Sequence, residues 1–133
     1  NKGIETQEFA FTDSNDVASV TQSAADYADV VYIPTDNTAA SNTEAIANIL
    51  VPAGVPAIAG EEGICSGCGV ATLSISYYDL GVTTGKMAAK ILTGEADIST
   101  MPIEYTDATP KYNPTICETL NITPLDGYTA IEG

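Results

Sequence analysis

The chain has 133 residues, 44% of them hydrophobic, enough for one domain with a real core and too few for two ordinary ones. Eighteen Asp and Glu against four Lys and no Arg give a formal charge of −14 and a pI near 4.1, which repels phosphate backbones and anionic lipid and argues against nucleic acid as a partner. There is no His, so the usual general base, the commonest metal ligand and the histidine-based triads are missing together, and hydrolytic chemistry is disfavoured.

From the N-terminus, Ile4 to Phe11 alternates, imperfectly, Ile4, Thr6, Phe9 and Phe11 with Glu5, Gln7 and Glu8, the pattern of a strand with one wet face. Thr12-Asp13-Ser14-Asn15 supplies helix caps, and Val17, Val20, Ala24 and Tyr27 recur at helical spacing. Val30 to Ile33 is a four-residue apolar run that Pro34 must end, since proline cannot donate to a sheet ladder. Thr35, Asp36 and Asn37 therefore stand at the carboxyl end of a buried strand, the edge where ligands bind in open α/β sheets. A plain turn and helix cap accounts for the same three residues equally well.

Ser41-Asn42-Thr43-Glu44 reads as a capping box, Ile46, Ile49 and Leu50 as a buried stripe, and Gly54 as the helix end. Pro56 to Ala59 is a third strand that opens into Gly60-Glu61-Glu62-Gly63, a second polar mouth. The small, glycine-rich stretch from Gly63 to Gly69 leads to a fourth strand, Val70 to Ile75, and to its exit Ser76-Tyr77-Tyr78-Asp79. Leu80, Val82, Met87, Ala88, Ile91 and Leu92 predict a long helix ending at Gly94, with Lys86 and Lys90 on its wet side. Ile103 to Tyr105 is the expected fifth strand, and Asn113-Pro114 caps a helix through Leu120 that Asn121 ends. The tail from Pro124 is turn-rich.

Strands alternating with helices over short loops predict an α/β fold, an open and mostly parallel sheet with helices on both faces. The three cysteines include Cys65-Ser66-Gly67-Cys68. A lone C-x-x-C is compatible with a redox pair, half a zinc site, a local disulfide or two small residues in a turn, and a full zinc site would have to borrow a carboxylate. Neither a dinucleotide fingerprint nor a phosphate-binding loop occurs, so no cofactor and no metal is expected. The mouths at Thr12 to Asn15, Thr35 to Asn37, Gly60 to Glu62 and Ser76 to Asp79 combine carboxylates, hydroxyls, an amide and phenols. Such a set suits a small zwitterion, with Asp36, Glu61 or Asp79 on its ammonium and Tyr77 or Tyr78 against its side chain.

The motifs Tyr32-Ile33-Pro34-Thr35-Asp36-Asn37-Thr38, Gly60-Glu61, Tyr77-Tyr78-Asp79-Leu80-Gly81-Val82-Thr83-Thr84-Gly85-Lys86 and Lys90-Ile91-Leu92-Thr93-Gly94-Glu95 together resemble the substrate-binding components of ABC importers, the TrpX-like family. The resemblance runs from about residue 5 to residue 125. It implies a type I periplasmic-binding-protein fold whose two lobes close on an amino acid, often an aromatic one, with Thr35, Asp36, Asn37, Gly60, Glu61, Tyr78 and Asp79 at the ligand. It further implies a permease as partner, no reaction, and a location outside the cytoplasm, as a periplasmic protein or a membrane-anchored lipoprotein. Cys68-Gly69 stands where the resemblance leads to Gly-Ala, which reads Cys68 as a small wall residue.

On this reading residues 1–133 form one α/β lobe of a longer protein, with 80–100 reaching toward the other lobe. No stretch approaches the ~20 apolar residues of a membrane span, and the absence of a starting Met also favours a fragment. A 2-1-3-4-5 order would then have lost its first strand, leaving facing gaps that a second copy fills or a rearranged sheet avoids. A redox or enzymatic flavodoxin-like domain using Cys65 and Cys68, and the ligand-binding lobe of a receptor, are the alternative readings.

Overall fold

Residues 2–132 are described by a computed structural model of the chain. The sheet starts at β1 (Val31–Ile33) and continues through β2 (Ala57–Ala59), β3 (Ala71–Ser74), β4 (Thr109–Tyr112) and β5 (Thr129–Ala130), in that spatial order. β1, β2 and β3 run parallel, β4 is antiparallel to β3, and β5 is parallel to β4. The mostly parallel α/β sheet expected from the sequence is therefore present.

Among the described residues six helices accompany it: α1 (Val17–Ala25), α2 (Asn37–Ala40), α3 (Thr43–Leu50), α4 (Glu62–Cys68), α5 (Tyr77–Leu92) and α6 (Pro114–Thr119). Val17 of α1, Ile46 and Leu50 of α3 and Ile64, Cys65 and Cys68 of α4 share one core with Ile33, Ala57 and Ala59 of the sheet. These strand residues alternate with Tyr32, Ile58 and Leu73, which point the other way and remain 66%, 38% and 60% exposed. Over β1 to β3 the helical cover is thus one-sided, where cover on both faces was expected.

α6 packs Ile116 and Cys117 against Val70, Ala71 and Tyr112 at the opposite end of the sheet from the β3 exit. Buried Asn113 ties it down. Its Oδ1 accepts from the N–H groups of Thr115 and Ile116, both at 3.1 Å, and its Nδ2 donates to the carbonyls of Cys65 and Ser66 at 3.1 and 2.8 Å.

Several sequence expectations need correction. Among the described residues no strand forms over 4–11, because nothing stands beside it to accept its backbone hydrogen bonds. The stretch instead lies along α1, with the Phe9 and Tyr27 rings 5.8 Å apart and Tyr27 Oη donating to Glu5 at 3.2 Å. The facing gaps therefore do not arise, and the edge strands of the sheet are β1 and β5. The expected strand at 103–105 is also missing, and Ile103 and Tyr105 are 91% and 84% exposed. The strand falls at Thr109–Tyr112, where Pro110 hid it from sequence reading. In the tail, β5 precedes a buried Ile131; Gly133 lies outside the described residues.

The helix ends follow the sequence more closely than the starts. Gly54 takes φ +72, with the N–H of Gly54 donating to Val51 and that of Val55 to Leu50, the left-handed exit that glycine makes at no steric cost. The capping box at Ser41 to Glu44 does not form. Asn42 is the N-cap of α3, and its Nδ2 donates instead to the Thr38 carbonyl at 2.7 Å and to Ser14 Oγ at 3.2 Å. Likewise α1 starts after Asp16, whose carboxylate accepts from the N–H groups of Thr12 and Asp13. These bonds, that of Thr12 first, hold the Asp16 carboxyl below the usual range.

Candidate functional site

Each of the three parallel strands delivers the chain to a helix N-terminus. After β1, Asp36 caps α2 by accepting from the Ala39 N–H at 2.8 Å. After β2, Glu61 caps α4, accepting from the N–H of Gly63 at 2.8 Å and from that of Ile64. After β3, Ser76 caps α5 by accepting from the Asp79 N–H at 3.1 Å. All three segments thus meet along one edge of the sheet.

The small, glycine-rich stretch from Gly63 to Gly69, to which the sequence assigned no element, is mostly α4. A glycine is required at Gly67 because a Cβ there would land on the Thr43 side chain of α3. Gly60 has a similar role at the edge itself. A Cβ on it would lie 2.7 Å from the backbone nitrogen of Thr35, so only glycine lets the loops after β1 and β2 touch. They are joined by Gly60 N–H donating to the Ile33 carbonyl at 2.8 Å and by Thr35 Oγ1 donating to the Gly60 carbonyl at 3.3 Å.

A cleft of about 300 Å³ opens at this edge, lined by Glu61, Glu62, Ser76, Tyr77, Thr109 and Lys111, with Ser74 and Ile75 behind them. Lys111 Nζ pairs with Glu62 Oε2 at 2.7 Å, and Ser74 Oγ donates to the same oxygen at 3.3 Å. In the β3–β4 register Thr72 lies beside Lys111 and Ser74 beside Thr109, so four polar residues share the sheet face beneath the start of α4. The Thr72 hydroxyl is buried and has no hydrogen-bond partner among the described residues.

Of the residues expected at a ligand, Glu61 lines this cleft, Gly60 and Thr35 shape the loops beside it, and Asp36 and Asn37 begin α2 next to them. Tyr78 and Asp79 stand in the first turn of α5 and point to solvent, Tyr78 80% exposed; Tyr77 is the phenol that reaches the cleft. Sequence reasoning missed Lys111, Ser74 and Thr109. Lys111 and Thr109 belong to the unforeseen β4, and the one hint was that Lys111 is the lysine that falls neither on the long helix nor at the N-terminus.

A larger hollow of about 620 Å³ lies between α3 and α6 at the opposite end, lined by Ala47, Asn48, Val51, Ser66 and Asn113 among others. The four hydrogen bonds of the Asn113 side chain already saturate it. All three cysteines are free and buried, Cys65 and Cys68 lie one turn apart within α4, and burial pushes both thiols up to about 12. Cys68 Sγ donates to the Ile64 carbonyl at 3.3 Å and Cys117 Sγ to that of Val70 at 3.4 Å. No group of three or more metal-ligating side chains occurs among the described residues, and none of their helices is long and apolar enough to cross a membrane.

Residues 1–127 match the family model for ABC transporter substrate binding proteins. A tyrosine-binding protein of Clostridioides difficile is 32% identical over 108 residues, which are 81% of this chain and 29% of that protein. Among solved structures, the ligand-free, open form of a substrate binding protein with adhesive properties from Clostridium difficile superposes with a TM-score of 0.76 at 31% identity. That match covers 98% of this chain and 45% of the other. An ABC domain in complex with L-Trp from Streptococcus pneumonia gives a TM-score of 0.82 at 26% identity over 97% of this chain and 45% of its own. The chain thus spans under a third of the curated relative and under half of these solved ones. Fold, matched length and identity agree: the chain belongs to the ABC transporter substrate-binding protein family.

Proposed function

We propose that the protein is the solute-capturing part of an ABC importer, which holds a small aromatic amino acid at the carboxyl ends of β1 to β3 and hands it to a membrane permease without any reaction. The observation that carries this is the cleft itself: carboxylates, one ammonium, hydroxyls and a phenol line one opening, a set that complements an aromatic zwitterion. The names of two relatives, a tyrosine-binding protein and a complex with L-Trp, support the same ligand class.

In this reading the chain forms one lobe, and a second lobe closes the cleft over Thr35, Asp36, Asn37, Gly60, Glu61, Tyr78 and Asp79. The segment 80–100 is the crossing toward it. Its support is that α5 has no buried residue although Val82 and Leu92 are apolar and exposed. The family works outside the cytoplasm, and a lipid anchor would keep the protein beside its permease. A micromolar site is worth about 8 kcal/mol, so a lobe supplying half the contacts binds near millimolar.

The test is an ¹⁵N NMR titration of the chain with L-tryptophan into the millimolar range. Shifts centred on residues 34–37, 60–62 and 74–79 are expected. Shifts centred on the α3–α6 hollow, or none, would refute the proposal.

A further inference from the structure

We infer that Lys111 is the residue that recognises the carboxylate of the ligand, and that Glu62 holds it in position. The inference rests on the amino-acid-binding reading above and deepens it.

The cleft carries the carboxylates of Glu61 and Glu62 in a chain of net charge −14, so an incoming carboxylate is repelled unless a cation meets it. Of the four lysines, Lys86 and Lys90 lie on α5 and Lys2 lies in the N-terminal stretch. Lys111 is the cation lining the cleft among the described residues. Its side chain is 28% exposed, so it is neither sealed away nor free in solvent.

The ammonium has three donors, and one is accounted for by Glu62 Oε2. Glu62 is fixed in turn by Ser74 Oγ and by its place in the first turn of α4. A cation held by a carboxylate at its base, with donors left over, is preorganised for a second carboxylate. The buried, unpartnered hydroxyl of Thr72, next to Lys111 in the β-ladder, leaves one more polar group on the same sheet face.

Both oxygens of Glu61 accept from the first turn of α4, so Glu61 serves as a cap. Asp36 spends Oδ1 on the Ala39 N–H at 2.8 Å and caps α2 outside the cleft lining.

Three probes separate the roles: L-tryptophan, tryptamine, which lacks the carboxylate, and indole-3-propionate, which lacks the ammonium. NMR titrations of the parent and of Lys111→Gln should show L-tryptophan and indole-3-propionate weakened at least fivefold by the substitution and tryptamine unchanged. Lys111→Arg should restore the parent order, and unchanged melting temperatures establish that both variants fold. Equal weakening of all three probes, or of none, would overturn the role of Lys111 while leaving amino-acid binding in place. Failure of the parent chain to bind any of the three overturns both.

Discussion

Replacing Gly60 by alanine tests whether the two loops at the site are in the contact described. The added Cβ would lie 2.7 Å from Thr35 N, 3.0 Å from the Pro34 carbonyl carbon and 3.1 Å from Thr35 Oγ1. Two of these are backbone atoms at the end of β1 and cannot swing aside. Overpacking of this kind costs about 1–3 kcal/mol, and the stiffer unfolded chain returns about 0.4–1 kcal/mol. The net loss is about 1–2 kcal/mol, and a domain of this size should melt roughly 3–10 °C lower. Gly85→Ala is the control, since its Cβ meets nothing within 4 Å in the middle of α5; it should leave the melting temperature unchanged or raise it slightly, by at most ~1 kcal/mol of helix propensity. Circular dichroism melts of both variants decide the matter. A Gly60→Ala chain that melts at or above the parent temperature would show that the loops after β1 and β2 do not touch as described.

Asn113→Ala should cost about 2–4 kcal/mol, because it removes a helix cap and strands the buried groups that the amide satisfies; a urea unfolding midpoint within error of the parent refutes that role. The native thiols should react slowly with a disulfide reagent at pH 8 and fast in urea. Because the folded values of Cys65 and Cys68 lie near 12 against an ordinary 9.0, their contribution to stability is complete below pH 9 and is lost as pH rises from there toward 12. Rapid, reversible oxidation of the native protein would instead favour a redox domain. The open edge of β1, where Tyr32 is exposed, should pair with a second copy at high protein concentration. Sedimentation velocity should then show a concentration-dependent dimer that Tyr32→Lys abolishes, and a monomer at all concentrations contradicts it.

What the sequence made legible was mainly local. The strands at 31–33, 57–59 and 71–74 were marked by short apolar runs between breakers, and the ends of α3, α5 and α6 by Gly54, Gly94 and Asn121, all three at positive φ. What it concealed depends on partners distant in sequence. The alternation at 4–11 is a strand pattern with no neighbouring strand to pair with, and β4 is a strand despite Pro110 because β3 and β5 flank it. α4 carried no helical signal in the sequence because Gly67 and the C-cap Gly69 serve close packing, against Thr43 and against β2. The apolar stripe of α5 is genuine, yet none of its residues is buried among those described. At the site, the cap residues were visible one by one, whereas the Glu62–Lys111 pair spans 49 positions and no local pattern announces it.

The most direct test of the central claim is a thermal-shift screen of the protein against the twenty amino acids, with a few purines and sugars for comparison. A ligand at ten times its dissociation constant adds about 1.4 kcal/mol of stability, which corresponds to a shift of several degrees. A rise confined to a few amino acids and led by tryptophan, tyrosine and phenylalanine is the predicted result. No rise with any amino acid, or an equal rise with purines or sugars, would contradict the account.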